Sequence, residues 1–425
     1  MLAGGALAVL AAVLAAAPAP ADAITIPLSR RDLGIKQADG SVSFSALQEE
    51  ASRLSTKYSR NRKAMRLNME DRRDSRMSKR GTMALTIQDT AIWTGPVTIG
   101  SPAQSFNIYF DTGSSDFTVA STSCTTSCDT KNRYNVGASS TAYKTSTTVT
   151  TNFVDGTASS GTLVNDVVSA AGLTATNQSV IAATSLSSSV SSIDSDGLCV
   201  MGLAWPALSQ AFSTALPFTL YNQGQGSQPW FGLRLSNTPG VSQLTFGGYN
   251  RARVNGSPRW LSITKDSGDT FNTYWQVGGS APYVNGAQAI TTRVNHIFDS
   301  GTTLIVAPPT AAAQFWASVP GSAQYDDNFY TYPCDSPPTV EFSFARITLQ
   351  KYGISSDDFN LGYLSENQTQ CVGAVISEDL GIGTSWILGD TFSAFLSSLA
   401  PFESQNSWYM VHDVKNARVG FGSPR

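Results

Sequence analysis

The sequence predicts an all-β, bilobal protein, in which two β-lobes are related by a pseudo-twofold axis and carry a few short helices. Composition, turn spacing and an internal duplication predict this fold. Beyond residue 80 the 425-residue chain is rich in Ser, Thr, Val, Gly and aromatic residues, with turn-forming clusters about every eight to twelve residues. Only 14% of the residues are charged, which argues against coiled coils, helical repeats and disordered polyelectrolytes.

The first 23 residues form an apolar run that ends in Ala21-Asp22-Ala23. Such a run with a small-residue end is typical of a secretory signal peptide, and it is too short to span a bilayer comfortably. A membrane anchor is the alternative. We predict a signal peptide over residues 1–23, and therefore a secreted, extracellular protein without a membrane anchor.

Residues 24–80 carry half of all the basic residues, 14 Lys and Arg against 7 Asp and Glu. The remainder, residues 81–425, carries 14 basic and 23 acidic residues. A nucleic-acid-binding arm is one interpretation, but a secretory leader argues against it, so no nucleic acid is expected as a partner. We predict a propeptide that is held on the acidic body by charge, is released as carboxylates are protonated, and is cut after the dibasic pair Lys79-Arg80.

Individual elements follow from local patterns. In the propeptide, apolar residues at helical spacing predict one or two helices between Phe44 and Met69. In the body, helices are predicted at Thr310–Ser318 and Leu208–Leu216. Runs rich in β-branched and aromatic residues predict strands, among them Ser105–Phe110, Thr147–Phe153, Thr162–Val168, Gln243–Phe246 and Tyr409–Val411.

An internal repeat organises the body. Phe110–Ser115 reads Phe-Asp-Thr-Gly-Ser-Ser, and Phe298–Thr303 reads Phe-Asp-Ser-Gly-Thr-Thr. Each unit is followed, 91 and 90 positions after its Asp, by the glycine that ends Val200–Gly202 and Ile387–Gly389. One such motif is an ordinary strand-ending turn, but two with matching remote partners indicate a duplicated lobe. We place the lobes at 81–255 and 256–425.

If the two turns meet at the pseudo-twofold axis, Asp111 faces Asp299. Two carboxylates about 4 Å apart repel by about 4 kcal/mol at an effective dielectric constant near 20, which separates their pKa values by about three units. The pair then holds one proton over a broad acidic range. One carboxyl can take a proton from a water while the other polarises a peptide carbonyl.

The residues around the two acids have predicted supporting roles. Ser114 and Thr302 are placed to hydrogen-bond the outer carboxyl oxygens, and Thr112 and Ser300 to connect the two turns. The remaining supporting positions, which allow a tight backbone at each turn, are Gly113 and Gly301.

The sequence lacks the residue motifs that other hydrolytic mechanisms require. The sequence has two histidines, His296 and His412, and structural roles are predicted for both. There is no His-Glu-x-x-His zinc motif and no Gly-x-Ser-x-Gly nucleophile motif. We therefore expect no metal and no cofactor.

From these residues the chain resembles the pepsin-type (family A1) aspartic proteases, especially their secreted fungal members. The resemblance covers about residues 86–425 and rests on both Asp motifs and on several shorter ones. It implies an active-site cleft between the two lobes and endopeptidase activity at acid pH on extended peptides. It also implies a zymogen whose propeptide is an intramolecular inhibitor, and a monomer. The shorter motifs are Asp196-Gly197, Met201–Ala204, Leu244–Gly248, Ile387–Asp390 and Val419–Gly422.

The family's flap departs from its usual pattern in this chain. Where the family has Tyr-Gly-x-Gly-Ser/Thr, the sequence has Phe153, Val154, Asp155, Gly156 and Thr157. The family's partner Trp is replaced by Thr118, so both ends of that hydrogen bond are lost together. We predict a repacked, apolar flap over the cleft. The alternative is a pepsin-like binding protein that has weakened or lost catalysis.

Side chains next to the second Asp give a prediction of specificity. We predict that Ile297, Thr303, Leu304 and Ile305 contribute to an apolar subsite and, with Phe153, favour bulky apolar substrate side chains. The alternative is that these residues belong to the core.

Five cysteines in a secreted chain suggest two disulfides and one remaining thiol. The resemblance implies the pairs Cys124–Cys128 and Cys334–Cys371, although the sequence alone leaves other pairings open. Cys199 is then a buried, inert thiol. Three Asn-x-Ser/Thr sites predict surface glycosylation, at Asn177, Asn255 and Asn367.

Overall fold

The computed structural model describes most of the predicted body and part of the predicted propeptide. The described residues are 28–31, 34–68, 81–84, 86–88, 92–128, 132–152, 158–186, 199–236, 240–265, 270–344, 350–393 and 408–425. The predicted signal peptide, Lys79-Arg80, Asp196-Gly197 and the flap residues 153–157 lie outside them. In the described part, strands dominate and helices are few, which confirms the predicted all-β, bilobal class.

A nine-stranded sheet, the N-sheet, forms the first lobe and is described in the order β1-β3-β4-β5-β10-β6-β9-β8-β7. Its first strand comes from the predicted propeptide. The β7–β8 hairpin leads to the predicted flap. The strands are β1 Leu28–Arg31, β3 Thr86–Gln88, β4 Ile92–Ile99, β5 Gln104–Asp111, β6 Phe117–Ala120, β7 Tyr143–Asn152, β8 Ala158–Ala170, β9 Leu173–Ser185 and β10 Cys199–Gly202.

The second lobe contains two sheets in the described residues. Its larger sheet, the C-sheet, has the order β21-β20-β14-β16-β25-β17-β24, with β15 paired to β14. Its strands are β14 Gln276–Val284, β15 Ala287–Gln288, β16 Val294–Phe298, β17 Ile305–Ala307, β20 Val340–Ser343, β21 Tyr352–Ile354, β24 Val375–Ser377 and β25 Trp386–Leu388. The smaller sheet has the order β18-β19-β23-β22. Its strands are β18 Ala323–Gln324, β19 Tyr330–Pro333, β22 Asn360–Leu364 and β23 Asn367–Gly373.

A six-stranded sheet, the shared sheet, takes strands from both predicted lobes, in the order β13-β27-β26-β11-β12-β2. Its outermost strand β2 begins at Gly81, directly after the predicted processing pair, and already pairs with β12. Residues 81–84 are thus part of this sheet in the uncleaved chain. The strands are β2 Gly81–Ala84, β11 Trp230–Arg234, β12 Gln243–Phe246, β13 Val254–Ser262, β26 Tyr409–Asp413 and β27 Arg418–Pro424.

The described helices are short, with one exception. A single 25-residue helix, α1, spans Phe44–Asn68, which confirms the helical prediction for the propeptide. The helix predicted at Thr310–Ser318 is α3, Pro309–Ala317, which has a proline in its first turn. The others are α2 Leu216–Asn222, α4 Ser356–Phe359, α5 Asp390–Ser393 and 3₁₀ turns at Val136–Ala138, Pro206–Leu208 and Arg251–Arg253.

The helix predicted over Leu208–Leu216 is wrong. A 3₁₀ turn ends at Leu208 and α2 begins at Leu216, so the residues between them are a loop. The Asp116 carboxylate accepts hydrogen bonds from the Ser209 hydroxyl and from the backbone N–H groups of Gln210 and Ala211. The local sequence pattern would place these N–H groups in a helix, but they donate instead to a carboxylate that is distant in sequence.

The cysteines pair as the family resemblance implies. Disulfides join Cys124 to Cys128 and Cys334 to Cys371, and Cys199 is buried on β10. The side chains of the three predicted glycosylation sites are exposed. No helix in the described residues is long and apolar enough to cross a membrane.

Candidate active site

Each lobe delivers its aspartate at the end of a strand that has a parallel neighbour. In the N-sheet, β5 runs beside β10, and Asp111 is in register with Gly202. In the C-sheet, β16 runs beside β25 with Phe298 opposite Leu388, and the Asp299 N–H donates to Leu388 O at 3.1 Å. The near-equal spacings of 91 and 90 residues thus reflect the same strand pairing in both lobes.

The remote glycines are required because the backbones approach closely. A Cβ atom at Gly202 would collide with the backbone of Ser114 and Ser115, and one at Gly389 would collide with Thr302 O and Leu304 O. These contacts are with backbone, which cannot move aside as a flexible side chain can. Each glycine therefore allows its strand to support the Asp-bearing turn.

The two aspartates have matching hydrogen bonds. Asp111 accepts from Gly113 N at 2.8 Å and from the Ser114 hydroxyl at 2.6 Å. Asp299 accepts from Gly301 N at 2.8 Å and from the Thr302 hydroxyl at 2.6 Å. Both carboxyls are almost fully buried, at 3% and 0% exposure. One backbone and one hydroxyl donor thus fix the orientation of each carboxyl.

Beneath the carboxyls, Thr112 and Ser300 connect the two turns through four reciprocal hydrogen bonds. The Thr112 hydroxyl donates to Phe298 O at 3.0 Å and accepts from Ser300 N at 2.8 Å. The Ser300 hydroxyl donates to Phe110 O at 3.0 Å and accepts from Thr112 N at 3.1 Å. All of these groups are buried. The two lobes are therefore hydrogen-bonded to each other directly below the aspartates.

The turn glycines bring the two acids together. A Cβ atom at Gly113 would collide with the Asp299 carboxyl, and one at Gly301 would collide with the Asp111 carboxyl and approach Lys57 Nζ. Each carboxyl thus packs against the glycine of the opposite turn. The structure brings Asp111 and Asp299 into one buried site.

We expect Thr112→Val to destabilise the protein by about 2 to 4 kcal/mol. Valine has nearly the same shape but leaves Ser300 N–H and Phe298 C=O unpaired, and each buried unpaired group costs about 1 to 3 kcal/mol. Thr150→Val is the control, because Thr150 is exposed. The measurement is denaturant unfolding of both variants. Equal stability of the two would contradict a connecting role for the Thr112 hydroxyl.

Helix α1 lies across the aspartates. Lys57 Nζ donates to Asp111 Oδ1 at 2.7 Å and to both oxygens of Asp299 at 2.9 and 2.8 Å. The Tyr58 hydroxyl donates to Asp299 Oδ2 at 2.8 Å, and its ring stacks on Tyr274 with centroids 5.5 Å apart. The lysine side chain is only 6% exposed. One ammonium of the predicted propeptide therefore bridges both carboxyls and occupies the space above them.

Contacts on both sides of Lys57 hold the helix in place. Arg53 forms a two-pronged ion pair with Glu50 and donates to Gly301 O at 3.1 Å. Asn61 donates to Gly113 O at 2.6 Å. At the end of the helix, Asn68 donates to Ala207 O and Ser209 O. Helix α1 is thus hydrogen-bonded to both aspartate turns and to the first lobe beyond them.

The propeptide is also anchored away from the aspartates. Strand β1 pairs with β3 and β4 of the N-sheet. Before α1, Val42 N donates to Tyr363 O and Tyr363 N donates to Gly40 O. Phe44 then stacks on Tyr325 with centroids 4.3 Å apart. The propeptide therefore contacts both lobes.

Burial and the Lys57 ammonium shift the pKa of each carboxyl in opposite directions. Burial raises the pKa of Asp111, and the charge of Asp299 adds to this, while Lys57 lowers it. Burial also acts to raise the pKa of Asp299, but the Lys57 ammonium and the hydrogen bonds from Lys57 and Thr302 hold that pKa well below its usual range. As the pH falls, Asp111 accordingly takes up a proton first.

Sequence reasoning missed Lys57 and its neighbours. It attributed propeptide binding to overall charge, yet Lys63 and Arg66 on the same helix are exposed. The usable signal was a set of polar residues within the apolar face of the helix. These residues are spaced by seven, four and seven positions and are buried in the structure: Glu50, Lys57, Asn61 and Asn68.

The structure describes the predicted subsite residues next to the second Asp but not the residues of the predicted flap. Thr303 is buried beside α1, where its N–H faces Glu50 at 3.4 Å. Ile297, Leu304 and Ile305 are fully buried in the main core, and their role in a subsite stays a prediction. Thr118 is half-buried on β6. The predicted flap, Phe153 to Thr157, lies outside the described residues.

The two histidines are core residues, as expected. His296 lies among Phe342, Phe344 and Trp386, and His412 stacks on Phe231. Both are fully buried, and burial lowers the pKa of each to about 3. Among the described residues, no group of three or more His, Cys, Asp or Glu side chains could hold a metal ion.

Comparisons with known proteins show similarity to aspartic proteases. The family model described as eukaryotic aspartyl protease matches residues 92–423. The chain is 35% identical to an aspartic protease of Phaffia rhodozyma, over 98% of this chain and 96% of that protein. It is 30% identical to major aspartyl peptidase 1 of Cryptococcus neoformans var. grubii, over 76% and 69%. It is also 30% identical to pepsin A of Suncus murinus, over 77% and 79%.

Proposed function

The chain belongs to the eukaryotic aspartyl protease family, and from that premise we propose that it is a secreted aspartic endopeptidase made as a zymogen. It hydrolyses peptide bonds of extended peptide and protein substrates at acid pH. Asp111 and Asp299 are its catalytic residues, and it uses no metal or cofactor. The observation that carries this proposal is the pair of buried carboxyls, matched in their hydrogen bonds and placed at the meeting point of the two lobes.

Catalysis begins once α1 has left the cleft. Two buried carboxyls in mutual contact cannot both ionise easily, so the pair holds one proton at acid pH. The ionised member takes a proton from a water between them, and the water oxygen attacks the peptide carbonyl carbon. The protonated member donates to the carbonyl oxygen, and a tetrahedral diol forms. Its collapse breaks the C–N bond as a proton passes to the leaving nitrogen.

The zymogen proposal rests on Lys57. Its ammonium contacts both catalytic carboxyls at hydrogen-bond distance, where neither water nor substrate can then bind. Lys57 lowers the pKa of Asp111 and of Asp299. By linkage, protonating either carboxyl weakens the contribution of Lys57 to the binding of α1. Acidification therefore releases the helix under the same conditions that give the pair its catalytic proton.

Further features support the details of this proposal. The apolar leader supports secretion, and the exposed Asn177, Asn255 and Asn367 support glycosylation. Lys79-Arg80 is the proposed cleavage point between the propeptide and β2. Bulky apolar substrate side chains are preferred, and the enzyme acts as a monomer.

The test is hydrolysis of denatured globin by the full-length protein. We expect cleavage after acidification to pH 3–4 and none at pH 7, where α1 stays bound. An Asp111→Asn preparation, purified in parallel, shows whether a contaminating protease is present. A protein that folds and binds peptides at pH 3–4 but cleaves none would instead be the pepsin-like binding protein that the altered flap sequence suggests.

A further inference from the structure

An aromatic residue at the edge of the cleft is exposed and conformationally strained. Phe212 is 50% exposed and has a φ of 51°, in the left-handed region that bulky L-residues rarely adopt. It lies in a segment that we call the rim loop, residues 207–213. Strained backbone of this kind is common at functional sites, and the exposed ring is available to contact another molecule.

The strain has an identifiable cause. The Asp116 carboxylate fixes the backbone at Gln210 and Ala211, and on the other side of Phe212 the Ser213 N–H donates to the Ser209 hydroxyl at 2.8 Å. Both neighbours of Phe212 in the chain are buried. With both sides anchored, the backbone turns at Phe212 and directs its side chain away from the core.

The rim loop borders the cleft. Asn68, at the end of α1, donates to the carbonyls of Ala207 and Ser209. Ala211 packs against Val149 of β7 and Ile181 of β9, and Val149 lies near the end of β7 that leads to the predicted flap. The helix that covers the aspartates therefore also reaches the rim loop, yet it leaves the Phe212 ring half-exposed.

We propose that Phe212 is a specificity-determining residue, which binds an apolar substrate side chain at some distance from the scissile bond. The proposal rests on the proposed endopeptidase function. From Lys57 to Asn68 is eleven helical residues, or about 16 Å. An extended peptide covers that distance in about five residues. The contacted side chain thus lies within about five residues of the cleaved bond.

The test uses ten-residue fluorogenic peptides with one common cleavable core. In each peptide a single leucine replaces serine at one position, out to five residues on either side of the scissile bond. The readout is the ratio of kcat/KM for the leucine peptide to that for the serine peptide, because this ratio is independent of the active enzyme fraction. For the acid-activated protein we expect a ratio of about three to ten at one distal position.

Two variants separate the effect of the Phe212 ring on specificity from the effect of its backbone strain on stability. Both Phe212→Gly and Phe212→Ala should reduce that ratio to about one. Only Phe212→Gly should raise Tm, because glycine adopts positive φ without cost. Phe212→Tyr, which keeps the ring, should keep the ratio.

Unchanged ratios in the Gly and Ala variants would overturn the proposal. So would a lower Tm in both, since it would show that the ring stabilises the fold. If the ring instead binds propeptide residues, the ratio stays constant and only the pH of activation shifts, which also overturns it. Failure of the endopeptidase proposal is distinguishable, because the wild-type protein would then cleave none of the peptides.

Discussion

Asp111→Asn and Asp299→Asn are each expected to reduce kcat/KM on acid-activated protein by about a thousandfold or more. An amide cannot take a proton from water as a carboxylate does, and it cannot share one proton with the opposite acid. General acid and base groups contribute about 10² to 10⁴ each to a rate. The measurement is cleavage of a fluorogenic peptide across pH 2 to 6. Self-processing of the variant precursors should be lost as well.

These substitutions should leave the fold intact. In Asp111→Asn the new amide oxygen can still accept from Gly113 N, and the substitution removes one of two charges that repel each other in a buried site. We therefore expect Tm within a few degrees of wild type. Asp357→Asn is the matched control, since Asp357 is exposed in the first turn of α4. Activity of the Asp111 variant close to that of the Asp357 variant would refute a catalytic role.

The sequence predicted those parts of the molecule that local pattern determines. The strand Gln243–Phe246 has the predicted bounds, and α1 covers almost the whole predicted helical stretch. The repeat allowed the fold class to be predicted. Two matching Asp motifs, each followed at a nearly equal distance by a matching glycine motif, indicate that the two halves of the body fold alike. Without the second motif, Phe110–Ser115 would have been an ordinary turn.

The parts that the sequence could not predict depend on contacts between distant residues. Lys57 lies 54 residues from Asp111 and 242 from Asp299, and no local pattern shows that its partners meet. Likewise, residues 209–211 are not in an α-helix because Asp116, 93 residues before Ser209, accepts their hydrogen bonds. In both cases a charged side chain binds groups distant in sequence, and these partners become visible only once the chain has folded.

Lys57→Met is expected to shift the pH of activation upward by about one unit or more. Methionine keeps the apolar part of the side chain but leaves two buried carboxylates without a counter-charge. Breaking a buried ion pair by removing one partner costs about 3 to 5 kcal/mol, and this cost weakens the binding of α1 wherever the carboxylates are ionised. The measurement is the pH at which the precursor becomes half-processed and half-active on peptide.

The sign of the effect follows from the two pKa shifts. Lys57 lowers the pKa of both carboxyls, so its contribution to α1 binding is fully present when both are ionised. As the pH falls, that contribution is lost in part when Asp111 takes up a proton and in full when Asp299 does. The variant lacks this contribution at every pH. It should therefore differ most from wild type at pH 5 to 7 and least near pH 2.

The exposed Lys63 on the same helix provides the matched control. Lys63→Met removes the same unit of charge from the propeptide without touching either carboxyl. If net charge held the propeptide, as the sequence alone suggested, the two variants would shift activation equally. If one buried ammonium holds it, only Lys57→Met will move the midpoint, and raising the ionic strength will affect wild type little, because salt screens a buried pair less than exposed charges.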